Sequence, residues 1–161
     1  MNEATIGLDS MVREAIEVSR NAREHGNHPF GAILIDAEGN RLLSAENTVE
    51  TDCDCTAHAE RNLVALATKT YTEEFLRSCT LISSAEPCPM CSGAIYWSNI
   101  GRVVYGLSEK RLYEISDPDD QVGLLLSCRE VLGRGKRDVT VIGPMLEDEA
   151  QELPMDFWNS L

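Results

Sequence analysis

The chain is poor in basic residues: 14 Lys and Arg stand against 27 Asp and Glu, for a formal charge of -13 over 161 residues. A polyanion such as a nucleic acid is repelled by that mean field unless a local basic stripe offsets it. The one basic cluster, "RGKR" at 134–137, reads as a solvated loop. A small substrate is expected, and nucleic acid is not. The first twenty residues, "MNEATIGLDSMVREAIEVSR", lack a basic start followed by an apolar run, and nowhere do about 20 apolar residues follow one another. Neither a secretion leader nor a membrane partner is expected, which points to a cytoplasmic protein. Linker-like Pro/Gly/Ser stretches and repeats are missing too, so residues 1–161 read as one domain able to bury its own core. In such a chain the six cysteines are expected to stay reduced, and a CxxC pair signals metal or redox chemistry.

What is present alternates helix and strand. Leu8, Met11, Val12, Ala15, Ile16, Ser19 and Ala22 recur at helical spacing before Gly26, predicting a helix over about 8–25. "FGAILID", the turn "EGN" and "RLLSAEN" predict a hairpin. Ala59, Leu63, Leu66 and Ala67 mark a helix over about 57–69 with Thr56 as its N-cap. "CTLISSA" reads as a strand, and Pro89 suits the first position of a helix running to about 99. "RVVYGL" is a strand, "QVGLLLSCREVLG" a helix and "DVTVIGP" the last strand. Strands separated by helices imply parallel neighbours with helices on both faces. The expected fold is therefore α/β, a three-layer α/β/α sandwich on a mixed five-stranded sheet.

Two dense motifs fall at helix starts: "HAE" at 58–60 and "PCPMC" at 87–91. In parallel α/β sheets helix N-termini gather at the carboxyl ends of the strands, where ligands bind. His58, Cys88 and Cys91 are good zinc ligands, and a helix N-terminus favours thiolate. Three protein ligands leave one tetrahedral place for water, the arrangement of a catalytic rather than a structural zinc. Zinc lowers the pKa of such a water to about 7, giving hydroxide, and Glu60, two residues from His58, is placed to carry its proton.

The pairing of HxE with PCxxC marks zinc-dependent base deaminases, and the sequence resembles the cytidine and deoxycytidylate deaminase superfamily. "PFGAILID", "TAHAERNLVAL" and "EPCPMCSGAIYWSNIGRVVYG" look most like its branch of guanine, cytosine and tRNA adenosine deaminases, and "IYW" at 95–97 is especially like the guanine enzymes. The likeness covers about residues 8–107. It implies a cytidine deaminase-like fold with one zinc ion per chain on His58, Cys88 and Cys91, and with Glu60 as catalytic proton shuttle. It further implies that Asn47 holds the substrate ring, that the backbone around Ala59 and Glu86 meets the polar edge of the base, and that Phe30 and Trp97 lie near the pocket. A turn-forming role for Asn47 and plain core packing for Trp97 are the alternatives. The expected reaction is hydrolytic removal of ammonia from a free nucleobase or similar aminated heterocycle, of guanine type, by a homodimer. The rivals are a tRNA adenosine or nucleoside deaminase and a non-catalytic zinc protein.

Departures from the resemblance are local. Cys53 and Cys55 stand just before "TAHAE" and read as small loop residues, while Cys79 and Cys128 read as core. His25 and His28 flank a helix end and read as capping or solvent-exposed. In "DPDD" at 117–120, Asp117 either meets an exocyclic amine or belongs to an ordinary acidic turn. The tail, about 144–161, carries Phe157 and Trp158, which either fold over the site or simply dock on the core.

Overall fold

The apolar stripe of the first segment becomes α1 (Glu3–Glu24), which lays Val12, Ala15 and Ile16 on one face of a sheet. The computed structural model describes residues 3–119 and 121–161, with side-chain surroundings from residue 7 onward, so Asp120 of the acidic turn lies outside it. β1 (Gly31–Ile35) and β2 (Arg41–Glu46) form the antiparallel hairpin. There follow α2 (Val49–Asp52), α3 (Ala59–Thr70), α4 (Glu73–Leu76), β3 (Thr80–Ala85), α5 (Pro89–Ser98) and β4 (Arg102–Leu107). The chain closes with α6 (Glu109–Ser116), α7 (Cys128–Gly133), β5 (Thr140–Ile142) and α8 (Glu147–Trp158).

The strands lie in the order β2-β1-β3-β4-β5. β3, β4 and β5 are parallel, and β1 alone runs against its neighbours, so the sheet is mixed as the sequence predicts. Side-chain alternation divides the core in two. Ala32, Leu34, Leu81 and Val103 point to one face, against Leu63 and Ala67 of α3, Ile95 of α5 and Leu132 of α7. Ile33, Ile35, Ile82 and Val104 point to the other, against α1 and against Ala150 and Leu153 of α8. This is the three-layer α/β/α sandwich. Gly31 permits its closest approach, because a Cβ there would strike the Ser19 backbone and the Val18 side chain of α1. Among the described residues no helix is long and apolar enough to cross a membrane.

Two local expectations are corrected. Thr56 does not cap α3: its hydroxyl and its N–H both donate to Asp54 Oδ1, at 2.7 and 2.8 Å, so the turn before the helix takes it and His58 becomes the N-cap residue. The helix expected over 121–133 is confined to Cys128–Gly133. Asp117 accepts hydrogen bonds from the N–H groups of Gln121, Val122 and Gly123, each within 2.9 Å, which folds that stretch into a loop, and Ser127 caps the shortened helix through Glu130 N–H. The periodicity reading also passed over α6, which Ser108 caps by accepting from Arg111 N–H.

Candidate active site

β3 ends at Ala85, and three residues later Cys88 stands as N-cap of α5, with Pro89 at its first position and Cys91 one turn on. His58 occupies the same place at the head of α3. The two helix starts meet beside the sheet, and His58 Nδ1 lies 3.6 Å from Cys88 Sγ. The three donor atoms of His58, Cys88 and Cys91 are all within 4.8 Å of one another. A tetrahedral zinc with bonds of about 2.0–2.3 Å has donor–donor edges of about 3.5–3.8 Å, so the donor set fits that ion. The three donors are also coupled to one another through shared hydrogens. A hydrogen bond from Cys91, then one with His58, holds the Cys88 thiol down to about 4. The Cys91 thiol is driven up, first by sharing its hydrogen with Cys88 and then by burial. His58 is raised by its hydrogen bond to Cys88.

Glu60, in the first turn of α3, is 5% exposed, and burial raises its carboxyl above the ordinary range. Ser83 Oγ on β3 donates to its Oε1 at 2.8 Å. His58, Glu60 and Cys88 line one cavity of about 180 Å³, together with Asn47, Phe30 and Trp158. Asn47 is 2% exposed; its N–H donates to Phe30 O at 3.0 Å and its Oδ1 accepts from Val49 N–H at 3.1 Å. With the amide oxygen so fixed, its NH2 group is the end free to meet a ligand. The ring of Trp158 lies 5.9 Å from Phe30 and 6.0 Å from His28. Phe157 packs on His28 at 5.5 Å without lining the cavity.

Other predicted residues sit differently. Ala59 is buried in the core under α3, and only its neighbours His58 and Glu60 line the cavity. Glu86 does line it, but its N–H is taken by Leu107 O at 2.7 Å. Its carboxylate accepts from Glu109 N–H at 3.0 Å and Cys128 N–H at 2.9 Å, tying the starts of α6 and α7 to the loop that carries Cys88. Trp97 does not reach the cavity: it is 76% exposed, nine residues beyond Cys88 and thus about 13 Å along α5. Asp117 is likewise outside, its carboxylate occupied by the three backbone N–H groups.

Two cavity residues, His28 and Glu109, and the buried support of Glu60, Ser83, escaped the sequence reading. His28 is no mere cap, since it lines the cavity and supports the tail aromatics; its place two residues before Phe30 was the available signal. Ser83 looks like any small strand residue until the register turns it toward Glu60. Glu109 lines the cavity from the first turn of α6. Cys53 and Cys55 are exposed, and Cys79 and Cys128 are buried as core residues.

A sandwich of this topology, with an imidazole and two thiols clustered within 4.8 Å and a buried carboxyl beside them, is that of a zinc-type deaminase domain. Residues 7–107 match the family model of the cytidine and deoxycytidylate deaminase zinc-binding region, and the chain belongs to that family. It is 44% identical over 149 residues to a probable cytosine deaminase of Schizosaccharomyces pombe, covering 92% of this chain and 90% of that protein. That span runs through residues 108–120 and into the tail, beyond the expected limit at 107. It is 43% identical over 77 residues to the guanine deaminase of Bacillus subtilis, covering 48% of this chain and 49% of that protein. The solved guanine deaminase of Nitrosomonas europaea shares the fold with a TM-score of 0.76, at 24% identity, over 95% of this chain and 85% of that one. Family membership makes the protein a hydrolytic deaminase and implies a zinc ion.

Proposed function

We propose that the protein hydrolyses the amino group from a free nucleobase or similar small heterocycle, releasing ammonia and leaving a ring carbonyl. The observation that carries this reading is the cavity: about 180 Å³, lined by Glu60, His58 and Cys88 together with the aromatic rings of Trp158 and Phe30. It lies below the range of about 300–1,000 Å³ that drug-sized ligands occupy, and suits a single heterocycle. A guanine-type ring is favoured by "IYW" and by the Bacillus subtilis relative. Cytosine is the second reading, favoured by the longer match to the Schizosaccharomyces pombe protein. Against a tRNA substrate stands the charge of -13.

His58, Cys88 and Cys91 would hold the zinc, which would supply a water acidified to a pKa of about 7. The chain's own residues do the rest. Asn47 offers its NH2 group to a carbonyl oxygen carried by the ring, and Phe30 and Trp158 orient the ring and exclude solvent. Glu60 takes a proton from the attacking water, gives it to the ring nitrogen beside the amine-bearing carbon, and carries the next one to the leaving nitrogen. Ser83 holds that carboxylate in place through the 2.8 Å hydrogen bond. Tail cover over the site is part of this proposal, as is assembly as a homodimer.

The test is ammonia release across guanine, cytosine, adenine, isocytosine, aminotriazines, pterins and the nucleosides, with zinc content measured alongside. Glu60→Ala should lower kcat by about 10²–10⁴-fold while zinc stays bound. Unchanged turnover in a zinc-loaded Glu60→Ala protein overturns the mechanism.

A further inference from the structure

Glu109 is a buried acid that no neighbouring donor pairs with in good hydrogen-bond geometry. It is 3% exposed, and its two carboxyl oxygens are the only buried side-chain nitrogen or oxygen atoms without a hydrogen-bond partner among the described residues. Buried polar groups are almost always paired, so a carboxyl left orphaned at the wall of a cavity is matched to something the cavity receives. Its position is built rather than incidental. Glu86 Oε2 accepts from the Glu109 N–H at 3.0 Å, and Ser108, the residue before it, is held by Glu147 through its N–H at 3.0 Å. Arg111, a cation two residues away, is engaged by Asp148 at 2.8 Å and Glu147 at 3.5 Å. The Tyr113 hydroxyl, also beside the cavity, accepts from Leu124 N–H; it and the Leu126 N–H lie near the Glu109 carboxyl and favour its charged form, without a well-formed hydrogen bond to it. Burial, with repulsion from Glu86 and Cys88, raises the Glu109 carboxyl to about 7.

The topology sets Glu109 opposite Asn47. Asn47 follows β2 at one side of the sheet, Glu109 follows β4, and β1 and β3 lie between them. The cavity therefore presents a donor at one side and an acceptor at the other. Once the released amine is assigned to the metal side, the remaining hydrogen-bond donors of a free guanine or cytosine are ring N–H groups.

We propose that Glu109 is a substrate-recognition residue whose carboxylate accepts a hydrogen bond from a ring N–H of the bound heterocycle, so that the site selects the unsubstituted free base over its N-alkylated or N-glycosylated forms. This rests on the deaminase reading and names the class of ring that the same site takes. The residue does not move protons in the reaction, and its carboxylate is a stability cost kept for binding.

The experiment compares wild type, Glu109→Gln and Glu109→Ala, each with zinc content measured. The substrates are whichever of guanine or cytosine is turned over and its 9-methyl or 1-methyl derivative; calorimetric binding of xanthine or uracil and thermal unfolding are read in parallel. Wild type should prefer the unmethylated base by about 10²-fold or more in kcat/KM. In Glu109→Ala that preference should collapse through KM, with product binding weakened to match. Glu109→Gln, whose amide oxygen still accepts, should recover part of it. Both variants should unfold at or above the wild-type temperature, since each removes an unpaired buried carboxyl. Retained discrimination and product affinity in Glu109→Ala overturn the proposal, as does lower thermal stability in both variants, which marks a structural role. A fall in kcat that is equal for base and methylated base also overturns it, in favour of catalysis. If wild type turns over no base and binds neither product, the deaminase reading falls with it; if wild type is active and only the Glu109 results fail, that reading stands.

Discussion

Replacing Trp158 by alanine tests whether the tail is part of the working site. The indole lies 5.9 Å from the Phe30 ring and 6.0 Å from the His28 ring, both within the range of aromatic pairs worth about 0.5–1.5 kcal/mol each. Losing two such pairs weakens closure by about 1–3 kcal/mol, and at about 1.4 kcal/mol per tenfold this is roughly a 5- to 150-fold fall in kcat/KM. Trp158→Phe keeps a ring there and should retain most of the activity. Trp97→Ala is the internal control, because that indole is 76% exposed and outside the cavity. The assay is ammonia release on the active base, joined to hydrogen exchange of the amides in 147–161, which should quicken in Trp158→Ala alone. The body of α8 should stay docked, since Ala150 and Leu153 are buried and Glu149 forms a bidentate pair with Arg13 at 2.8 and 2.9 Å. Wild-type kcat/KM in Trp158→Ala, with exchange at the tail increased, would refute the reasoning: the tail would open freely without consequence for the reaction.

Three further outcomes are expected. Ser83→Ala removes the donor to Glu60 Oε1; a hydrogen bond to a charged group is worth about 1.5–3 kcal/mol, so kcat should fall tenfold or more with KM little changed, and an unchanged kcat would show that Glu60 needs no such support. Stripping zinc with a chelator should lower the unfolding temperature and restoring it should reverse the loss, because the donors come from two different helices; a melting curve indifferent to the metal would contradict that linkage. Asp54 is held below its ordinary 3.8 first by hydrogen bonds from Thr56, with help from Arg61. A depressed folded-state value stabilises the fold above the unfolded pKa and loses that contribution as pH falls through the folded one. Asp54→Asn should therefore be less stable than wild type at neutral pH, with the gap closing only below about pH 4; equal gaps at pH 7 and pH 3 would count against it.

The strands were legible because "FGAILID", "CTLISSA" and "RVVYGL" are short apolar runs bounded by turn residues, and such runs have few ways to be buried. The cluster of candidate metal donors was legible because HxE and PCxxC concentrate chemically costly residues at helix starts. Residues 121–127 misled for a definite reason: Val122, Leu124 and Leu125 carry the apolarity of a helix yet are 84%, 65% and 63% exposed. One carboxylate, Asp117, decides that stretch by capturing three backbone N–H groups, and no periodicity reveals it. Trp97 misled by sharing a helix with Cys88 and Cys91, where only the rise along the axis separates wall from surface. Ser83 and Glu109 were illegible singly, because a buried polar residue acquires its meaning from what stands opposite, and that is fixed by register and crossover rather than by neighbours in sequence.

The double hold of Glu86 has a consequence for how this architecture diversifies. Its one carboxylate grips the N–H of Glu109 and the N–H of Cys128, so the eighteen residues between them are a cassette with both ends fastened to the same post. Insertions, deletions or a wholly different loop there can be exchanged without shifting either fastening. A chemist wishing to change which ring is accepted has a natural segment to splice, and the post itself should be left alone.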